Sequence, residues 1–212
     1  MNVGEIDRMY LESPCLIVRD LRHDDLEQIE TWRPFTDPLH NLWNIPRSTP
    51  LSRELWFTLK DSDPTRMWMV IQRKSDGQVI GTLSLREIVR RISARLGITL
   101  GADFVGQGYG TEALRLFLPH YFHEMGFRRL FLDVAAANRR ALHVYEKLGF
   151  QRIGAHYRNI PEAIDLRFLE QEQYRSLRPY FRRHLGRMQL LFYEMVLERS
   201  AWEKPSHTAA PS

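Results

Sequence analysis

The stretch Gly106-Gln107-Gly108-Tyr109-Gly110-Thr111-Glu112-Ala113 limits what this chain can build more than any other part of it. Glycines at alternate positions permit left-handed backbone and close approaches that other residues resist. Ahead of them, Arg95-Leu96-Gly97-Ile98-Thr99-Leu100 reads as extended. Behind them, Ala113, Leu114, Phe117, Leu118 and Tyr121 recur at helical spacing. A glycine loop between a strand and a helix N-terminus gathers free N–H donors at the positive end of the helix dipole, which makes a seat for phosphate. The spacing lacks both the Gly-Lys-Ser/Thr ending of a Walker loop and the last glycine of the dinucleotide fingerprint.

Downstream, Asn138-Arg139-Arg140-Ala141-Leu142-His143-Val144-Tyr145-Glu146-Lys147-Leu148-Gly149-Phe150 reads as a second helix. Asn138 suits its N-cap, because the side-chain oxygen accepts a free first-turn N–H. Ala141, Leu142, Tyr145 and Leu148 fall on one face, and Gly149 supplies a left-handed stop. Between the two helices, Arg129 to Val134 reads as a buried strand. This order of glycine loop, helix, strand and Asn-x6-Tyr-Glu-Lys-Leu-Gly-Phe resembles the core of the GCN5-related N-acetyltransferases (GNAT). Within that family it is most similar to the branch that includes the ribosomal-protein N-terminal acetyltransferases. The resemblance covers residues 15 to 158 in element order and is sharpest over 97 to 150.

The resemblance implies a GNAT fold, α/β (α+β) in class, with a mixed, mostly antiparallel central sheet flanked by helices on both faces. It implies an acyltransferase that takes acetyl-CoA as co-substrate, needs no metal, and moves the acetyl group to a primary amine by direct attack in a ternary complex. The amides of Val105, Gly106, Gln107, Gly108, Tyr109, Gly110 and Thr111 would bind the coenzyme A pyrophosphate, with the loop and the helix dipole supplying the positive field. Ile98, Thr99 and Leu100 would pair through their backbone with the pantetheine arm, and Asn138 would hydrogen-bond it. Tyr145 would protonate the departing thiolate, a task that suits a phenol still protonated at neutral pH. The acceptor is an amine, either a protein N-terminus or a small amine, and the residues do not choose between them. Cys15, the only thiol, lies far in sequence from the loop, so a covalent acetyl-enzyme has no obvious carrier.

Two positions depart from the family pattern. Val105 stands where relatives often carry Gln or Arg, a side chain that is replaceable if the amide does the binding. Arg95-Leu96-Gly97-Ile98 stands where the closest branch often has a carboxylate just before a Gly-aromatic pair. The general base is therefore open, with Glu87, His143 and His156 as candidates. The missing carboxylate also keeps a rival reading alive: a catalytically silent coenzyme A-binding module that senses or recruits.

Length and composition fit one domain over residues 1 to 200, with a helical insertion over 159 to 187 and a Pro/Ser/Ala-rich, disordered tail over 201 to 212. A single cysteine excludes an internal disulfide framework and suits a reducing cytosol. Its run, Cys15-Leu16-Ile17-Val18, predicts a buried thiol. No membrane span or signal segment is expected, and the location reads as cytoplasmic. The net charge of +4 gathers arginines in the last third, including Arg158, Arg167, Arg175 and Arg182, with acidic residues interleaved. That pattern reads as a solvated face; nucleic acid is not the expected partner. Strands are expected near Leu16 to Arg19, Met67 to Gln72, Val79 to Leu85 and Arg91 to Leu100, with helices over Asp24 to Trp32 and Ser52 to Leu59. Pro34 to Pro50, with four prolines anchored by Phe35 and Trp43, reads as a structured loop. In the insertion, Ile164 with Phe168, and Leu177 with Phe181 and Leu185, predict two short helices broken at Pro179. They would wall the acceptor groove or bridge a homodimer, with Arg167, Arg175 and Arg182 orienting an anionic group.

Overall fold

The computed structural model describes residues 9–44 and 48–203. Most of the expected tail lies outside the described residues. Nine strands form one sheet: β1 (Tyr10–Glu12), β2 (Leu16–Asp20), β3 (Met67–Arg73), β4 (Val79–Val89), β5 (Ser93–Leu100), β6 (Arg129–Ala135), β7 (Gln151–Asn159), β8 (Phe181–His184) and β9 (Arg187–Glu198). Their order is β1-β2-β3-β4-β5-β6-β9-β7, with β8 added against β9. Only β5 and β6 run parallel, joined through a helix as a parallel crossover requires. The mixed, mostly antiparallel sheet matches the expectation.

Alternation along the strands assigns the two faces. Met69 and Ile71 of β3, and Met195 and Leu197 of β9, join one core with Ala113, Leu114, Phe117 and Leu118 of α3 (Tyr109–Pro119). Leu142, Tyr145 and Phe150, in or just after α4 (Arg139–Lys147), complete it. On the opposite face Val70 and Trp68 pack with Leu26 and Ile29 of α1 (His23–Glu30) and Phe57 of α2 (Pro50–Leu59). Farther along that face, Leu190 and Phe192 of β9 pack with Phe168 and Leu177 of the insertion.

One buried ion pair fixes α1 to the sheet. Arg19 of β2 grips Asp25 with two bonds of 2.7 and 2.8 Å, and Asp25 also accepts the Arg22 N–H at 2.7 Å. Both residues are buried, so neither charge is free to find water.

Three expectations are corrected here. Cys15 is exposed: it occupies the bend before β2, where its carbonyl accepts the Lys74 N–H, and the buried alternation starts only at Leu16. The insertion does hold two short helical segments, but neither is an α-helix and the second does not continue past Tyr180. It winds through 3₁₀ turns over Arg167–Glu170 and Glu172–Tyr180 and then enters a hairpin, Phe181 pairing with Leu190. Leu185, expected on a helix face, is the exposed hairpin turn beside Gly186, both with positive φ. The apolar spacing is real, but Phe181, partly buried, packs against Phe168 as a strand residue. Arg167, Arg175 and Arg182 spend their charges locally, on Asp165, on Glu172, and on Gln189 with the Tyr157 ring.

Candidate active site

The pocket opens because the sheet stops being continuous. β5 pairs with β6 only from Ser93↔Arg129 to Leu96↔Leu132, while its other edge stays paired with β4 out to Leu100. Beyond Leu96 the two parallel strands diverge. The backbone groups of residues 97–100 that face β6 are thereby left for another partner, and an extended chain laid in the gap would satisfy them. Glycines allow the tight pairing on the β4 side. A Cβ at Gly81 would come within 2.7 Å of the Thr99 carbonyl, and one at Gly97 within 2.7 Å of Ser84 Oγ.

A cleft of about 390 Å³ occupies this gap. Its walls are Ile98, Thr99 and Leu100 of β5, then Val105, Gly106, Gly108, Gly110 and Thr111, then Asn138, Arg140, Ala141, Val144 and Tyr145 around α4. The glycine loop behaves as the sequence requires. Gly106 and Gly108 have φ of +79° and +88°, and a Cβ built on either meets no protein atom within 4 Å. The first backbone bond of α3 runs from Glu112 N–H to the Gly108 carbonyl at 3.0 Å, which leaves the preceding amides without helical acceptors. This cradle, open where side chains would stand and rich in unused amides, fits a diphosphate.

Asn138 caps α4, its Oδ1 accepting the Ala141 N–H at 3.1 Å, while the same side chain lines the cleft. Tyr145 is buried on the core face of α4, its ring tilted at 60° to Phe150 with centroids 5.7 Å apart. Its hydroxyl has no partner among the described residues, and burial pushes its pKa up to about 12. The contrast is Tyr121, also buried, whose hydroxyl donates to the Arg129 carbonyl at 2.7 Å. The Tyr145 hydroxyl opens on the cleft, where it can donate to whatever the cleft holds.

Two expected loop residues do not line the cleft. Gln107 turns back to donate to the Asp103 carbonyl at 2.6 Å, and Tyr109 faces Arg73. Both keep their backbone in the loop. The three suggested bases also lie elsewhere: Glu87 is paired with Arg95, His143 is exposed, and His156 stacks on Phe192 and accepts from Arg158. Among the described residues no Asp or Glu lines the cleft. On the nearby open sheet face, Asp133 is surrounded by Arg86, Arg95 and Arg158 at 2.8 to 3.2 Å, and Glu194 is held by Arg95 at 2.7 Å.

The opposite wall is one the sequence does not reveal beyond its aromatic anchors. Phe35, His40 and Trp43 reach the cleft from the segment before α2. Asn44 folds that segment on itself, accepting from Phe35 N–H at 2.7 Å and donating to its carbonyl at 3.3 Å. Aromatic residues inside a proline-bounded stretch are the signal that could have found it.

Comparison with known proteins agrees with this geometry. A family model described as "Acetyltransferase (GNAT) domain" matches residues 16–151. "Probable N-acetyltransferase YjcK" of Bacillus subtilis is 36% identical over 88 residues, 41% of this chain and 49% of that protein. Spermidine N(1)-acetyltransferase of Escherichia coli K12 is 35% identical over 77 residues, 35% of this chain and 41% of that protein. The chain thus spans about half the length or less of these curated relatives. Among solved structures, spermidine N-acetyltransferase from Vibrio cholerae in complex with CoA and spermine superposes with a TM-score of 0.65 at 21% identity, covering 89% of this chain and 98% of that one. With the family model spanning well over half of its length, this chain belongs to the GNAT acetyltransferase family.

Proposed function

We propose that the protein is an acetyl-CoA-dependent N-acetyltransferase that passes the acetyl group directly to a primary amine in a ternary complex. The observation that carries this reading is the divergence of β5 from β6 beside the glycine loop, with the unpartnered Tyr145 hydroxyl at the same cleft. The amides of residues 105–111 hold the pyrophosphate. The free edge of Ile98 to Leu100 takes the pantetheine arm as an added strand, and a main-chain N–H there polarises the acetyl carbonyl. Asn138 contributes its amide group to the arm while its oxygen keeps capping α4. Tyr145 donates its proton to the sulfur as the carbon–sulfur bond breaks.

The acceptor side supports an amine of modest charge. Its wall is aromatic and free of carboxylates among the described residues, whereas a polycation calls for acidic groups. A peptide N-terminus, the acceptor class of the ribosomal-protein branch, meets that requirement. β7 is an edge strand exposed from Gln151 to His156, which supports assembly with a second copy. No helix among the described residues is long and apolar enough to cross a membrane, and a cytoplasmic location accords with the exposed thiol of Cys15.

Arg95-Leu96-Gly97-Ile98, standing where the ribosomal-protein branch often has a carboxylate, favours the second reading, a silent coenzyme A-binding module. Thiol release from acetyl-CoA, measured against peptides with free N-termini, polyamines and aminoglycosides, separates the two. Acetyl transfer predicts amine-dependent thiol release and an acetylated product by mass. Binding of acetyl-CoA without turnover of any amine establishes the silent module.

A further inference from the structure

Among the titratable side chains of the described cleft lining, one can both accept and release a proton at a ring nitrogen. The described lining contains His40, Arg140 and Tyr145. Arg140 has no lone pair to offer, and Tyr145 is held protonated by its burial. Imidazole is the side chain that exchanges a proton near neutrality. The carboxylates of the open sheet face are already committed, Asp133 to three arginines and Glu87 and Glu194 to Arg95.

His40 is also held in place by more than one contact. Its ring lies between Phe35 and Trp43, with centroids 5.8 and 5.6 Å away. Asp37 Oδ1 accepts the N–H groups of Leu39 at 2.9 Å and of His40 itself at 3.2 Å, and sits 3.7 Å from His40 Nδ1. Asp37 Oδ2 accepts from the Tyr174 hydroxyl at 3.1 Å, a contact across 137 residues of chain. Tyr174 in turn packs edge to face on the buried Phe168. The insertion therefore anchors the carboxylate that anchors the histidine. A negative charge beside Nδ1 favours a proton there and leaves Nε2 as the acceptor.

We propose that His40 is the general base of acetyl transfer, with Asp37 and Tyr174 as positioning residues that tie it to the insertion; this rests on the acetyltransferase reading above. His40 takes one proton from the acceptor ammonium and returns it to solvent. The freed nitrogen lone pair forms the carbon–nitrogen bond at the thioester carbonyl. The carbon–sulfur bond then breaks, its electron pair goes to sulfur, and sulfur takes the Tyr145 proton. The second nitrogen proton, shed as the amide forms, restores the phenol. The sum is ammonium plus thioester giving amide, thiol and one proton. Among the described residues, the charged and titratable groups facing His40 are Asp37 on its own segment, Tyr174 behind Asp37, and Arg140 and Tyr145 across the cleft.

The test compares wild type with His40→Gln, His40→Ala, Asp37→Asn and Tyr174→Phe, using peptides with free N-termini and spermidine as probe acceptors. The expected result is a fall in kcat for His40→Gln of about 10² to 10⁴-fold, the usual worth of a positioned base. Acetyl-CoA affinity by calorimetry should be unchanged. The acidic limb of the kcat/KM profile should move in His40→Gln, and added imidazole should restore His40→Ala in proportion to its concentration. Asp37→Asn and Tyr174→Phe should lower kcat by less than His40→Gln, with KM for the amine and acetyl-CoA affinity unchanged. An active wild type whose His40 variants keep its rate and its acidic limb overturns the assignment alone. A wild type that binds acetyl-CoA but acetylates neither probe overturns the assignment together with the acetyltransferase reading.

Discussion

The two walls of the cleft are built by opposite strategies. The wall proposed for the cofactor is mostly backbone: the free edge of residues 97–100, the amides of the glycine loop and the capped start of α4. The wall proposed for the acceptor is side chains, Phe35, His40 and Trp43, on a segment with little regular structure. That segment is tied down by distant partners, Tyr174 on Asp37 and, at 3.7 Å, Arg33 near Asp103. A backbone wall suits a ligand that never changes, because strand edges and helix ends offer the same donors whatever the side chains are. A side-chain wall can be rebuilt for a new acceptor without touching the cofactor. The proposed function thus makes cofactor and acceptor recognition separable, and the variants that follow test that separation.

The largest effect is expected at the meeting point of the walls. Tyr145→Phe should slow kcat by about 10² to 10⁴-fold while acetyl-CoA affinity stays level, since only a hydroxyl is removed. Turnover at the wild-type rate would make the tyrosine a packing residue. Next comes the buried ion pair that ties α1 to the sheet. Asp25→Ala leaves Arg19 buried without its partner and should cost about 3 to 5 kcal/mol in urea unfolding. A loss within experimental error would mean that water reaches Arg19 in the native state. Exchange of residues 161–180 for a short turn should alter acceptor preference or assembly but leave acetyl-CoA affinity within a few-fold. Equal acetylation of the same acceptors in the same assembly would reduce the insertion to packing. The smallest expected effect is a level line. Because the Tyr145 phenol is pushed up to about 12, its ionisation should not lower kcat as pH rises through the range, about 10, where a solvated tyrosine titrates. A fall centred there would show the phenol in contact with water during turnover.

The same division explains what is legible in the sequence. Glycines that need positive φ, an asparagine cap and a 3.6-residue stripe are local signatures, so β5, α3, α4 and the loop between them can be read from the residues alone. Gly108 and Asn138 stand where those signatures put them. Cys15 misleads because one residue decides whether a strand's alternation has begun. The hairpin over Phe181–His184 misleads because apolar spacing over a few residues does not separate a helix from a strand against β9. His40 is not legible at all. Its place depends on Asp37, whose partner Tyr174 lies 137 residues away, and no local pattern records such a contact.

The assignment of the glycine loop to the cofactor stands or falls on calorimetry of acetyl-CoA binding in the presence of EDTA. Three proteins are compared: wild type, Gly108→Val and Gly186→Val. The two glycines share a left-handed φ, +88° and +76°, and open space where a side chain would stand, so both substitutions strain the backbone in the same way. Only Gly108 lies on the cleft; Gly186 is in the hairpin turn beside β8. Wild type and Gly186→Val should bind alike, and Gly108→Val, still folded, should bind at least about tenfold more weakly, 1.4 kcal/mol. Equal affinity in all three would contradict a cofactor seat on these amides.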